Sequence, residues 1–340
     1  YLTMKNLQLR CMNCSERKKH GRFNMELGKP NLEIMADTLL DLSQQNQNLL
    51  VVTGDSRGSG KLVPYGQIIP EQIVEVGIAE QNLVGISAGL ASTGKIVFAV
   101  SPASFLTARS FEQIKNDIAY SDIPVNLIGI SAGVSYGALG TTHHSLHDFA
   151  ALQAVNNIHI VVPADNFEAR KAIEYAVDYP YPLYIRFGKK PLPHLHNANT
   201  KFEIGKAIIL KSGSDVTYIA TGETVFRAVE ACKLLEEQGI SCGVISMHTL
   251  KPLDEGAIFE AARSSRAIIT VEEHSVHGGL GSACASFLLQ EGFHNPFKII
   301  GFPDEYTVNG SQAEIFEYYG ITPTGFAQVA RELILDDVLK

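Results

Sequence analysis

Long apolar runs are missing from this 340-residue chain. None approaches the roughly 20 residues of a membrane-spanning helix, and no charged, apolar and small-residue pattern of a secretory signal opens it. A soluble, cytoplasmic protein is expected. Positive charge is also in deficit, with 28 Lys and Arg against 36 Asp and Glu and a formal net charge of −8. Nucleic acids and anionic membranes select clustered cations, so small molecules and proteins are the expected partners. Cysteine is scarce and odd in number, with five residues. Cys232, Cys242 and Cys284 lie in periodic apolar segments, where reduced core thiols are expected. A phosphate-cradling Walker loop is absent too: "GDSRGSGK" at 54–61 lacks the spacing. "HGGLGSA" at 277–283 reads as tight turning and close packing.

The first 24 residues are basic and aperiodic, and the chain does not begin with Met. Cys11, Cys14 and His20 form a CxxC followed by a histidine. A structural zinc site takes four ligands and no fourth is evident, so a mobile tail is expected over 1–24.

After residue 25 the pattern alternates. Helical periodicity over 32–42 leads to a strand in "NLLVVTGD", then a strand over 73–78 and a helix from Glu80. "KIVFAV", a helix over 109–120 and "VNLIGIS" follow, then a helix from about 146, "IHIVVPAD", a helix over 166–177 and "PLYIRF". Short β-branched runs separated by helices indicate buried parallel strands with crossover helices on both faces. Residues 25–188 are expected to form a doubly wound α/β domain. Prolines and polar residues without periodicity make 189–200 a linker. The alternation restarts over 201–340 with "DVTYIATG", a helix over 224–238, "SCGVISMHTL", a helix over 254–262, "AIITVEE", a helix after 281, "FKIIGFP" and a last helix over 325–339. A smaller α/β domain is expected there.

Ligands of open α/β sheets gather beyond the carboxyl ends of the strands. The loops "TGDSRGSG", "VSPASF" and "SYGALGTTHHSLHD" lie at such ends, as does Glu80. An acid in the first turn of a helix complements its dipole, which by itself accounts for Glu80. His143 and His147 are four apart and Asp148 follows, a metal-like spacing. The glycines and threonines before His143 place it at a loop end instead, away from the helix face that such a site needs.

The combination is more specific than its parts. "EVGIAEQNLVGISAGLA", "SPASFLTARSFEQIKNDIAY", "GTTHHSLHD", "VVPADNFEA" and "YIRFGK", in that order, resemble the carboxyl-terminal half of transketolases, and in particular of split transketolases. "MHTLKPLD" and "EEHSVHGGLGS" resemble the last domain of that family and of deoxyxylulose-phosphate synthase. The resemblance implies a pyrimidine-binding domain followed by a transketolase C-terminal domain. It also implies thiamine diphosphate as cofactor, with the transfer of a two-carbon ketol unit from a ketose to an aldehyde.

By the same resemblance Glu80 hydrogen-bonds a ring nitrogen of the aminopyrimidine and activates the cofactor, and a carboxyl in an apolar pocket suits that role. Phe105 packs on the aminopyrimidine. Asp55, Gln81, Pro102, Arg109 and His144 fall around the cofactor, with Pro102 replacing an aromatic and His144 a glutamine. His143 meets the reacting carbonyl, a task for a group that donates or shuttles protons near neutrality. Arg186 matches a substrate-phosphate arginine, since a planar cation suits a phosphate dianion. Ser131 stands where a substrate-binding histidine is common, and Leu139 where an acid reads a sugar hydroxyl. Both departures weaken binding of the usual acceptor.

Thiamine enzymes anchor the diphosphate through a divalent cation on a GDG stretch and a later asparagine, and this sequence has neither. No metal ligand is therefore expected on this chain. The resemblance implies a second, N-terminal subunit carrying the diphosphate and Mg2+ loops, and a heterotetramer with a central dimer of these chains. The small residues Gly85, Ser87, Ala88 and Gly89 would suit close packing across such a junction or within one domain. Two alternatives stay open at this point. One is the beta subunit of a 2-oxo acid decarboxylating enzyme, which has the same two-domain layout; the other is a non-catalytic assembly subunit.

Overall fold

The computed structural model describes residues 26–197 and 199–338, so the Cys11, Cys14 and His20 group lies outside the described residues. Two sheets organise the molecule. The first has seven strands in the order Thr249–Lys251, His159–Val161, Leu183–Arg186, Val125–Ile130, Ile96–Pro102, Leu49–Thr53, Ile73–Glu75. All its pairings are parallel except the edge strand Thr249–Lys251. The chain starts at Leu49–Thr53, turns outward to Ile73–Glu75, then returns to fill the other side from Ile96–Pro102. That reversal makes a crevice at the carboxyl ends of Leu49–Thr53 and Ile96–Pro102.

The second sheet has five strands in the order Phe297–Phe302, Ala267–Ser275, Val216–Ala220, Cys242–Ser246, Ile208–Lys211, with only the last antiparallel. The expected doubly wound domain and smaller α/β domain are both present. Among the described residues no helix is long and apolar enough to cross a membrane.

The elements follow from residue pattern. Val125–Ile130 is buried at every position because helices cover both faces of the sheet. In the helix Glu80–Ser92, Leu83, Val84, Ser87, Ala88 and Ala91 recur at three- and four-residue spacing and are buried, so this face packs within the chain. Gly85 is half-buried and Gly89 exposed on the other side. One hydrophobic core joins the two halves: Val162, Ile160 and Leu152 cluster with Ile219, Ile245, Met247 and Leu280. At about 1.5–3 kcal/mol for each large apolar side chain removed from water, this shared core ties the two sheets together.

Several expectations need correction. The strand expected over 73–78 ends at Glu75, because Gly77 takes φ +74 and the Glu75 carboxylate accepts from the Asp55 and Gly77 amides at 2.6 and 3.1 Å. The single helix expected over 109–120 is three pieces: Ala103–Arg109, Phe111–Gln113 and a π-helix Ile114–Tyr120. Ser110 breaks it at φ −108 and ψ 23.

The linker is held at both ends. Pro191–Pro193 pairs with Leu27–Pro30, and the His196 ring lies 3.0 Å from Asp165 and 3.2 Å from Glu168. "SCGVISMHTL" is two strands in different sheets. Cys232 and Cys242 form a disulfide instead of remaining reduced, since the helix Val225–Glu236 brings their Cα atoms to 5.3 Å. Cys284 keeps a buried free thiol.

Candidate active site

At the carboxyl ends of the first sheet, four side chains meet in a row. Glu80 opens its helix and is only 6% exposed. Arg109, the last residue of Ala103–Arg109, places one nitrogen, Nη1, 3.2 and 3.1 Å from the two Glu80 oxygens. The same guanidinium lies 4.4 Å from the centre of the Phe105 ring. Phe105 in turn meets His143 edge to face, with ring centres 5.2 Å apart. Tyr136 also meets His143 edge to face, with ring centres 5.5 Å apart, and the Lys189 ammonium lies 4.6 Å over Tyr136. Elements far apart in sequence thus converge on one crevice.

The crevice floor is polar without being satisfied. The hydroxyls of Thr53, Ser101, Ser104 and Ser131 are buried and have no hydrogen-bond partner within the protein. Buried polar groups are ordinarily paired, so orphans at three neighbouring strand ends and in the first turn of the helix Ala103–Arg109 suit a polar ligand. Ser131 adopts φ +53 at the end of Val125–Ile130. Pro102 is buried and stands just before the Ala103–Arg109 helix, while Gln81 and Asp55 are exposed at the rim.

Two expected site residues are elsewhere. Arg186 is 5% exposed and turned inward: its Nε donates to Asp148 at 2.8 Å, and its Nη2 to the Ser145 and Glu273 carbonyls at 3.1 and 2.8 Å. These contacts tie Asp148 and Ser145 of the first domain to Glu273 of the second and leave the guanidinium little room for a substrate phosphate. Burial alone would raise the Asp148 pKa, but the Arg186 guanidinium, His274 and the Tyr184 hydroxyl hold it below the ordinary carboxylate range. Asp148 is thereby engaged inward, away from His143 and His147. His144 is also engaged within the protein: its Nδ1 lies 2.8 Å from the Thr307 hydroxyl and its Nε2 2.9 Å from the Gly137 carbonyl. Burial lowers its pKa, with the His143 charge adding to the effect.

Three residues of the crevice had not been singled out. Glu75 ties the loop after Leu49–Thr53 to the turn before Glu80, and also pairs with Arg57 at 3.2 Å. Its signal was available, since it opens the "EVGIAEQN" stretch. Tyr136 and Lys189 carried none beyond their loops. Burial, together with the nearby Lys190 and Lys61 charges, lowers the Lys189 pKa.

Family models match both halves of the chain. The transketolase pyrimidine-binding domain family matches residues 31–194, and the transketolase C-terminal domain family matches residues 205–325. The chain belongs to the transketolase family.

An apulose-4-phosphate transketolase subunit of Phocaeicola vulgatus is 47% identical over 299 residues, covering 88% of this chain and 95% of that protein. The protein of the same name from Actinobacillus succinogenes is 35% identical, covering 88% and 97%. Among solved structures, "Split gene transketolase, inactive beta4 tetramer" superposes with a TM-score of 0.81 at 35% identity, covering 91% of this chain and 99% of that one. This transketolase chain is therefore a transferase subunit, and the family implies thiamine diphosphate dependence. The relatives matched over nearly their whole length include named transketolase subunits, whereas deoxyxylulose-phosphate synthases match over about half of theirs.

Proposed function

We propose that the chain is the pyrimidine-side component of a split transketolase, whose active site is completed by an N-terminal subunit that carries the diphosphate and Mg2+ ligands. The support is the contiguity of Glu80, Phe105 and His143 in one crevice, with four orphaned hydroxyls beneath them. These residues fit the aminopyrimidine half of thiamine diphosphate. Glu80 is a buried acid for a ring nitrogen, and Phe105 is a half-buried ring for the face. Thiamine diphosphate, when bound, supplies the carbanion chemistry.

The chain's own residues orient and exchange protons. Glu80 would hold a ring nitrogen of the aminopyrimidine and could exchange a proton there. Thr142 engages His143 Nδ1 at 3.0 Å, which leaves Nε2 to meet a substrate carbonyl or hydroxyl. Gln81 and Asp55 stand at the rim, and Ser131 and Pro102 line the floor. Besides Arg109 and Arg57, which pair with Glu80 and Glu75, the cations on this side include Lys189 and, near it, Lys61 and Lys190. They suit the anionic end of a sugar phosphate, such as the apulose 4-phosphate of the relatives. Exposed Ile78 and Leu139 lie on loops at the crevice end of the sheet and support its closure by a partner subunit in a heterotetramer with a central dimer of these chains.

Calorimetric titration of thiamine diphosphate with Mg2+ tests the reading. Uptake is expected only by the complex of this chain with its diphosphate-binding subunit, and is expected to weaken at least tenfold in Glu80→Ala, on the order of 1.4 kcal/mol. Tight uptake by the chain alone would sink the shared site.

A further inference from the structure

The contacts of Arg109 follow a pattern that an ordinary surface ion pair does not need. Its guanidinium lies against the Phe105 ring at 4.4 Å, and the same group offers one nitrogen to both oxygens of Glu80 at 3.1 and 3.2 Å. An aminopyrimidine in this crevice would require the same two partners, Phe105 for its face and Glu80 for a ring nitrogen. A guanidinium is planar, delocalised and a donor at its edge, as is a protonated or imino pyrimidine. We propose that Arg109 is a place-holder for the cofactor ring: it occupies the Phe105 and Glu80 contacts in the unloaded subunit and is displaced when the ring enters. The inference rests on the cofactor reading above, and adds to it a competition between a side chain of this chain and its ligand.

Two further features support displacement over permanent ligation. Glu80 is 6% exposed, whereas the Arg109 side chain is 50% exposed, so one partner is fixed and the other is free to leave into solvent. Arg109 is also the last residue of its helix, and Ser110 after it is off the helical path at φ −108 and ψ 23, so its departure breaks no helix interior. A buried carboxylate left without a partner is costly. Arg109 offsets that cost until the cofactor takes over, which protects the empty subunit and weakens the apparent affinity for the ring by the same coupling.

Opposite changes in affinity and in unloaded stability are the signature to measure. The complex with the diphosphate-binding subunit is titrated with thiamine diphosphate and Mg2+ by calorimetry, and the thermal midpoint of the unloaded complex is recorded. Arg109→Gln is expected to bind about tenfold more tightly than wild type while unfolding at lower temperature. Arg109→Met, which keeps an aliphatic contact with Phe105, must move both quantities in the same directions. Equal or weaker binding by both variants, with the wild type binding measurably, makes Arg109 a ligand or a bystander and overturns the place-holder alone. A verified wild-type complex that takes up no thiamine diphosphate overturns the cofactor reading, and the place-holder with it.

Discussion

The two sheets end in crevices of opposite character. At the carboxyl ends of the first sheet, Glu80, Phe105 and His143 surround buried hydroxyls that have no protein partner. At the carboxyl ends of the second, Glu223, Glu272 and Glu273 are buried and the space is filled. Gln312 donates to Glu223 at 2.9 Å and to Glu273 at 3.1 Å, and the amide of Val134 from the first domain donates to Glu273 at 2.9 Å. Gly133 and Gly188 let that domain come so close that a Cβ at either would overlap Glu273 or Glu223. One architecture thus yields a ligand site where the strand ends stay open, and a domain junction where another part of the chain plugs them. Unpartnered polar atoms occur at both, with Thr221 and Glu223 among those of the second, so the difference lies in what covers the strand ends: at the second, the first domain packs against them.

Substitutions can break or sharpen this contrast, because the closed crevice should register in stability and the open one in rate. Gly133→Ala has the largest expected effect. Its φ of +61 disfavours a side chain, and the new Cβ would lie 2.1 Å from the Glu273 carboxyl carbon. Denaturant unfolding should report a loss of about 3 kcal/mol. His143→Ala should act on rate instead: turnover of the assembled enzyme falls about 10²-fold, while the unfolding free energy stays within about 0.5 kcal/mol. A stability loss comparable to that of Gly133→Ala would erase the contrast.

The smallest effect concerns pH. Burial and the adjacent Glu273 push the Glu223 pKa up to about 7, against the lowering pull of Arg227 and Gln312. A carboxyl whose pKa is raised on folding contributes stability that is fully present below its unfolded value of about 4.3 and lost as pH rises through 7. Glu223→Gln cannot ionise. It should be more stable than wild type by about 1–2 kcal/mol at pH 8, with the gap closing toward pH 5. Parallel unfolding curves for the two proteins at both pH values would show that the junction does not take up a proton.

What the sequence made legible was local. Helix and strand periodicity placed Glu80 where a strand gives way to a helix, and Phe105 at the start of the next crossover. Misreadings came from partners distant along the chain. Arg186 at a strand end looked available because Asp148, 38 residues earlier, and the Glu273 carbonyl, 87 residues later, fold against it only in three dimensions. His144 looked available for the same reason, its hydroxyl partner Thr307 lying 163 residues away. Cys232 and Cys242 were correctly placed in the core, but periodicity cannot say which two buried sulfurs face each other. Arg109 was expected near the cofactor, yet its contact with Glu80 depends on where two helices end relative to each other.

The strand Thr249–Lys251 leaves the second half of the chain and completes the edge of the first sheet beside His159–Val161. A bare edge there would offer unpaired backbone to any passing strand. The two family domains are therefore not interchangeable modules joined by a tether. Each is unfinished without the other, so shuffling between lineages could succeed only by moving both together as a single inherited cassette.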